Sequence, residues 1–372
     1  MNALLLATAL AALPALADDT QPAPDTATAG PTTPGPVPTD TPAGPPAPSR
    51  EVSTSVSVLP GLGWNAGGSE RIDGAAVGLV AHHHSVDGVE ASLASWVDHG
   101  VHGAHLAAFV AVTGGSVRGV QASGFVGVAE QVQGFQGGGM AAVAGPVDGF
   151  QGSGFLNIAR DVRGAQGSGG LNLARDVQGA QIGLLNIGRC VQGAQIGLVN
   201  VAEHVRGGQV GLLNIAKRVD GTSVGLASFI GNGLHEVDVW SSASAALVTD
   251  VKFGGKHIYT LGGVGLVRPE SGWWTFGLGW GGHVPAGRGW FELDVSAWGV
   301  AEGNRVAPGV HTKLRTSAGL QLGRHFAPFV GVSANVWAGD GTVVPRSLGM
   351  PSAEARDGRA VVWPGAHAGV QF

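Results

Sequence analysis

Six of the thirteen histidines crowd into one stretch, as His82, His83, His84, His99, His102 and His105. Neutral imidazoles held close together are ligands for Zn2+ or Ni2+. His84 and His99 each stand two residues before a recurring aliphatic position, Val86 and Val101, so stacked repeats would bring them into neighbouring coils. They are the metal candidates of this chain, although a solvated cluster of turn residues accounts for them better than a metal site does. His102 holds a variable turn position, and His105 replaces a recurring glutamine.

Other residues match catalytic patterns only superficially. Gly221-Thr222-Ser223-Val224-Gly225 spells the G-x-S-x-G of hydrolases. That chemistry requires a strand, a strained turn and a helix, with histidine and acidic partners. Ser223 instead falls where the neighbouring repeats place Gln195 and Gln209, so it reads as a substitution within a ladder. Glu292 and Asp294 share one face of a strand and could work as an acid pair, but the polar wall of a barrel explains them without catalysis. Cys190 is the single cysteine and cannot form an internal disulfide. No phosphate-loop motif occurs. The expectation is a protein without a catalytic centre and without a cofactor.

What must position these residues is a repeat. Between Ile72 and Gly221 an aliphatic residue, a variable residue and a glycine recur eleven times, in steps of 14 or 15 residues with a single 16. A fixed short period means one unit stacked on copies of itself. Glutamines recur two residues after the glycine, among them Gln166, Gln181, Gln195 and Gln209. Asparagines follow at Asn157, Asn172, Asn186, Asn200 and Asn214. Glycine, β-branched residues and amides favour short strands with tight turns over helix.

Two all-β arrangements fit. In an antiparallel meander, alternate repeats would face different surroundings and the period would double, which it does not. In a stacked β-solenoid every copy has the same environment, and like amides form ladders. The spacing from glutamine to asparagine varies between six (Gln166, Asn172) and five (Gln195, Asn200). A bend between them would absorb that extra residue, whereas in a continuous strand it would flip every later side chain. The spacing therefore predicts a solenoid of 14–15-residue units over 70–232. The alternative is one large β-barrel that includes the repeats.

The copies of V-x-G-x-Q-I-G-L-x-N-V-A at 177–216 resemble bacterial surface-repeat-containing proteins of leptospires and Bacteroides-type bacteria. The resemblance extends to Ser55–Trp64 before the repeats and to His235–Gly281 after them. It implies association with the cell envelope and no catalytic activity. No cysteine stands directly after residues 1–17, so lipid anchoring is not carried over.

The ends complete the organisation. Residues 1–17 read as a signal peptide, with an apolar run ending at Ala15-Leu16-Ala17. Residues 18–50 are rich in Pro, Thr and Ala, a composition that predicts a disordered linker. Beyond 235 the pattern becomes strict alternation: Phe291, Leu293 and Val295 oppose Glu292, Asp294 and Ser296, and Leu314, Thr316 and Ala318 oppose Lys313, Arg315 and Ser317. Strands of about ten residues, apolar on one side and polar on the other, predict an outer-membrane-type antiparallel barrel over 235–372. A soluble β-sandwich is the competing form. Eight of the ten tryptophans lie beyond residue 239, and Trp273, Trp274, Trp280, Trp290, Trp298, Trp337 and Trp363 are expected in interfacial belts. Phe372 supplies the terminal aromatic typical of such barrels.

Seven strands can be counted after 235, whereas bacterial barrels use even numbers. Either 51–66 supplies the strand that closes the barrel, with the repeats displayed outward as an insertion, or 236–253 is a hairpin. The net charge of −5 is mild and suggests no nucleic acid. The expected function is a surface-displayed structural or binding module anchored in the outer membrane of a Gram-negative cell. Its expected partners are membrane lipid, the barrel-assembly machinery, and a polysaccharide or protein ligand contacting a flat amide-bearing side. A pore with the repeats as barrel strands and a soluble periplasmic protein are the alternatives.

Overall fold

The computed structural model describes residues 50–268, 272–323, 325–339 and 361–372. The expected signal peptide and all of the expected linker except Arg50 lie outside these. The described residues are all-β without helix, a stacked parallel β-solenoid plus a closed eight-strand antiparallel β-barrel. The chain divides into two units between Arg163 and Gly164.

The first unit carries β1 (Arg50–Leu59), β2 (Leu62–Trp64), β3 (Glu70–Ser123), β4 (Val126–Gly138), β5 (Ala141–Ala144), β6 (Pro146–Ser153) and the start of β7 (Leu156–Ser168). Repeats lie in parallel register, with Val117 beside Val132 and Val132 beside Val147. β1 joins this stack, pairing Val52 with Ile72 in parallel. β2 folds back antiparallel along β1 and covers part of its outer edge, a device that blocks further strand addition. The expectation that 51–66 closes the barrel is therefore corrected. Val52 is buried with Ile72, Val86 and Val101, so the segment's apolar face is spent on the solenoid core.

The second unit holds further coils in β8 (Leu171–Ile182), β9 (Leu185–Ile196) and β10 (Val199–Ile230). Val177, Val191 and Val205 stand one above another, as do Asn172, Asn186 and Asn200. A two-residue bend, such as Gly183-Leu184, falls between glutamine and asparagine in the coils of Gln151, Gln166, Gln181 and Gln195, whereas β10 runs unbroken from Gln209 to Asn214. The longer repeats extend the strand before it by one residue, ending at Gly138 rather than at the position of Ile182. Parallel stacking rules out the reading of the repeats as barrel staves.

The recurring glycine has a backbone cause. Gly193 sits at φ +138°, and a Cβ there would lie 1.9 Å from the carbonyl oxygen of Gly179 in the coil beneath. No side chain fits that approach. The valine two residues earlier faces inward and is fully covered, which contributes on the order of 1.5–3 kcal/mol per coil.

The barrel follows as β11 (Leu234–Ser242), β12 (Ala245–Gly254), β13 (Ile258–Arg268), β14 (Trp273–Ala286), β15 (Gly289–Glu302), the two-residue β16 (Arg305–Val306), β17 (Gly309–Leu320), β18 (Ala327–Gly339) and β19 (Val361–Gln371). The hairpin alternative holds: β11 and β12 pair antiparallel across 234–254. β11 also pairs with β19, and β14 with β15, so the ring closes on eight strands without β1. Both ends of the barrel chain, Leu234 and Phe372, lie at one rim, where Val237 and Phe372 exchange backbone hydrogen bonds. At that rim β12 leads to β13, β14 to β15 and β17 to β18, whereas β18 ends and β19 begins at the opposite rim, where Trp337 pairs with Val361.

Candidate functional site

The solenoid interior is built from the amides that the repeat supplies. Gln181, Gln195, Gln209, Asn186, Asn200 and Asn214 are fully buried, as are Gln166, Asn172 and Asn157. Along the glutamine column Nε2 donates to the glutamine oxygen of the preceding coil, Gln195 to Gln181 at 2.8 Å and Gln181 to Gln166 at 2.9 Å. The asparagines run oppositely, Asn186 donating to Asn200 at 2.9 Å and Asn200 to Asn214 at 2.9 Å. The remaining N–H of Asn186 is taken by the Ile196 carbonyl, and that of Gln181 by Ile187. The two columns thus oppose their dipoles while satisfying their donors, which a dry interior demands. In the first unit Asn157 donates to the Gln151 carbonyl.

This placement corrects the expected amide-bearing binding side. The amides face inward because a coil interior is the one place where identical polar groups can partner each other. Two columns that the coils of the second unit show to solvent are aliphatic, Ile182, Ile196, Val210 and Val224 in one and Leu184, Leu198, Leu212 and Leu226 in the other, while exposed ion pairs such as Lys217–Glu203 and Arg218–Asp220 occupy other positions. Ser223 takes the glutamine position as expected. It is buried in β10 and donates to Ser228, which also accepts from Asn214, so serines terminate the ladder. Cys190 aligns with Asp176 and His204 in adjacent coils, and burial pushes its thiol up.

The histidine-bearing coils separate into a surface and an interior set. His84 and His99 are brought together, their ring centroids 4.2 Å apart in an edge-on arrangement. Neither belongs to a trio of ligand atoms within bonding reach among the described residues. On the same surface His82 bonds Asp98 at 2.9 Å and His102 bonds Asp87 at 2.8 Å. Inside, Glu90 and His105 continue the glutamine column. Ser95 bridges them, His105 Nε2 lies 3.3 Å from the Glu90 carboxylate, and His105 Nδ1 meets Thr113 at 3.1 Å. Burial raises Glu90 to about 7 and lowers His105 to about 4. His83, also lowered to about 4 by burial, has both ring nitrogens enclosed without a hydrogen-bond partner among the described residues. Serine, imidazole and carboxylate therefore meet here, but all are covered and no substrate atom could reach them.

The barrel inverts the polarity of a soluble domain. Outward residues are apolar and exposed, among them Val264, Leu278, Phe291, Leu293, Val330, Val332 and Val362. Inward residues carry charge. Arg315 binds Asp294 through Nε at 3.1 Å and Asp250 through Nη2 at 3.2 Å, with its guanidinium over the Trp240 ring. Lys252 Nζ lies 2.6 Å from Asp238 and 2.5 Å from Glu292, between the rings of Tyr259 and Trp290. Lys313 sits against Trp240 and Trp298. Glu292 and Asp294 are thus held in ion pairs within the wall.

The tryptophans correct a further expectation. Trp290, Trp298, Trp337 and Trp363 are buried, Trp298 to 1%, while Trp280 is 48% exposed on the outer face. Position parity explains it: Trp290 and Trp298 alternate in step with Glu292, Asp294 and Ser296, so the pleat turns them inward. Glycines on neighbouring strands accommodate them. A Cβ on Gly277 would lie 2.3 Å from the Trp298 ring, and one on Gly319 would lie 2.3 Å from that of Trp290. Phe372 remains exposed on the outside, its ring 6.0 Å from Phe326.

Glu236 and His283 are the functional candidates that the sequence reading missed. The parity that aligns Glu236 with Asp238 was a usable signal, but only barrel closure carries β11 towards β14. Compared with known protein families, curated proteins and solved structures, the chain has no match.

Proposed function

We propose that this chain is an outer-membrane anchor protein of a Gram-negative envelope, a lipid-embedded barrel that carries a β-solenoid as a structural or binding module. One observation carries the reading: a closed eight-strand barrel whose outer face is apolar and whose inner face holds Asp238, Lys252, Glu292, Asp294 and Arg315. Burying ions inside and leaving aliphatic side chains outside is costly in water and favourable in lipid. Among the described residues no helix is long and apolar enough to cross a membrane, so crossing would fall to these strands. The resemblance of the repeats to envelope proteins supports the same placement.

The interior favours an anchor over a pore. Ion pairs and aromatic rings fill it, leaving the lumen a packed core. The reading also changes the side on which the repeats lie. With β1 in the solenoid, the repeats precede the barrel and enter it at the rim holding Leu234 and Phe372. Single-chain barrels keep short turns on the periplasmic side and long loops outside. In the second unit the last coil meets that rim, Trp280 donating to Gly225 at 3.0 Å and Thr260 to Leu226 at 2.9 Å. The solenoid is accordingly assigned to the periplasm, where its aliphatic columns suit an apolar or protein partner.

Fractionation tests membrane insertion, with a heat-modifiable band in outer-membrane fractions expected and recovery only in the soluble periplasm overturning it. Protease added to intact cells should leave 70–232 uncut and should cut it once the outer membrane is permeabilised. Cutting on intact cells would restore surface display.

A further inference from the structure

We propose that Glu236, His283 and Glu292 form a divalent-metal site at the barrel rim that receives the solenoid, with chemistry suited to Zn2+. One donor atom from each lies within 4.8 Å of the other two, and this is the only such trio among the described residues. They come from β11, β14 and β15. His283 and Glu292 are direct cross-strand partners, and Glu236 pairs with Lys252 on β12. Both lateral pairs are therefore set by register, and ring closure supplies the third side.

Charge gives the second argument. Around this rim three carboxylates, Glu236, Asp238 and Glu292, face a single ammonium, Lys252, which binds Asp238 and Glu292. Deeper in the barrel Asp250 and Asp294 both pair with Arg315, and Lys313, seated against Trp240, adds a second positive charge. With the His283 imidazole neutral, ionised Glu236, Asp238 and Glu292 leave an excess of two negative charges over Lys252 at the rim, which a divalent cation neutralises. A third observation points the same way: Glu236 Oε2 is enclosed without a hydrogen-bond partner among the described residues. An enclosed carboxylate oxygen in that state is costly unless a cation or donor meets it.

The neighbours also orient the donors. Lys252 holds Oε2 of Glu292, which leaves Oε1 directed at His283 Nδ1, 3.0 Å away. A metal ion takes the place of the proton shared in that contact. The imidazole then binds through Nδ1 as the neutral ring, with its proton on Nε2. One imidazole and two carboxylates make a borderline-hard donor set fit for Zn2+ or Mn2+ and unfit for thiophilic ions. Three protein donors leave one position for water, and the ion would tie β11 to β14 and β15 across the mouth. The site draws only on residues within the barrel and does not depend on membrane placement.

The test uses the full-length, detergent-folded protein, titrated with Zn2+ by calorimetry and melted with and without it. We expect one bound ion per chain and a higher melting midpoint with Zn2+. In H283A and E236Q the affinity should fall at least roughly tenfold and the midpoint shift should vanish. E236Q keeps the side-chain shape and relieves the charge excess, so it folds even where H283A does not, as heat-modifiable migration reports. An H84A/H99A double variant should keep the site. Absence of Zn2+ binding, binding unchanged in folded E236Q, or binding lost only with His84 and His99 would each overturn the proposal, whatever fractionation shows.

Discussion

The solenoid and the barrel both enclose polar side chains, and they satisfy them by opposite means. In the solenoid the interior groups are mainly neutral amides repeated once per coil, and each partners its copy above and below. The network runs along one axis, and any coil resembles the next. In the barrel the interior groups are ions and indole rings, each different, converging from several strands on Arg315 and Lys252. The contrast shows how stacking periodicity lets a chain bury polarity by repetition, whereas a closed ring of eight unlike strands must do so by specific pairing. It also predicts different tolerance: one altered coil damages its neighbours, while one altered ion damages the whole plug.

Replacing Arg315 by Met should be the most damaging change, because it leaves Asp250 and Asp294 enclosed without their cation. Loss of one partner in such a network costs about 3–5 kcal/mol, and urea unfolding of the detergent-folded protein should read it. A loss below about 1 kcal/mol would show that the lumen is hydrated enough to make the pairing incidental. Gly193→Ala should act more locally. The alanine would need φ +138° and would press on the Gly179 carbonyl, a strain of about 1–3 kcal/mol. Limited proteolysis should then cut first near 180–210, leaving the heat-modifiable barrel intact. Loss of both regions together would mean that they unfold as one.

The smallest effect exposes the ionisable part of the solenoid interior. His83 and His105 have folded values of about 4 against 6.5 for the free side chain, so the stability they contribute is present above pH 6.5 and lost as pH falls towards 4. Glu90 has the opposite sign. Its folded value of about 7 lies above the free 4.5, so its contribution is present below 4.5 and lost as pH rises through 7. Between pH 4.5 and 6.5 the unfolded chain then binds one proton more than the folded chain, and stability should rise with pH to a maximum near 6.5–7. Glu90→Gln should steepen that rise and remove the decline above 7. An unchanged profile in melts across this range would place the titration elsewhere.

Legibility followed the same division. The repeat, its glycine and its amide columns could be read directly, because translation along a stack makes equal spacing in sequence equal position in space. Ser223 was placed correctly for that reason. The side on which the amides lie was misjudged, since spacing alone does not distinguish the inside of a coil from the outside. In the barrel, alternation located the strands and set Glu292 and Asp294 on one face. It left open whether 51–66 or the hairpin at 234–254 completed the ring, because both alternate. Tryptophan count suggested a belt, although the parity of Trp290 and Trp298 already placed them with the acids.

By itself the chain's order of residues determined the all-β class, the period of the stack and the inside–outside alternation of each barrel strand, since all three depend on contacts at fixed local spacing. Only the tertiary structure decided that β1 caps the coils, that the ring closes through β11, β19, β14 and β15, and that Glu236 meets His283 and Glu292. Those outcomes depend on which distant edges pair. Pairing is settled by the burial of whole faces, a property that no short window of sequence contains.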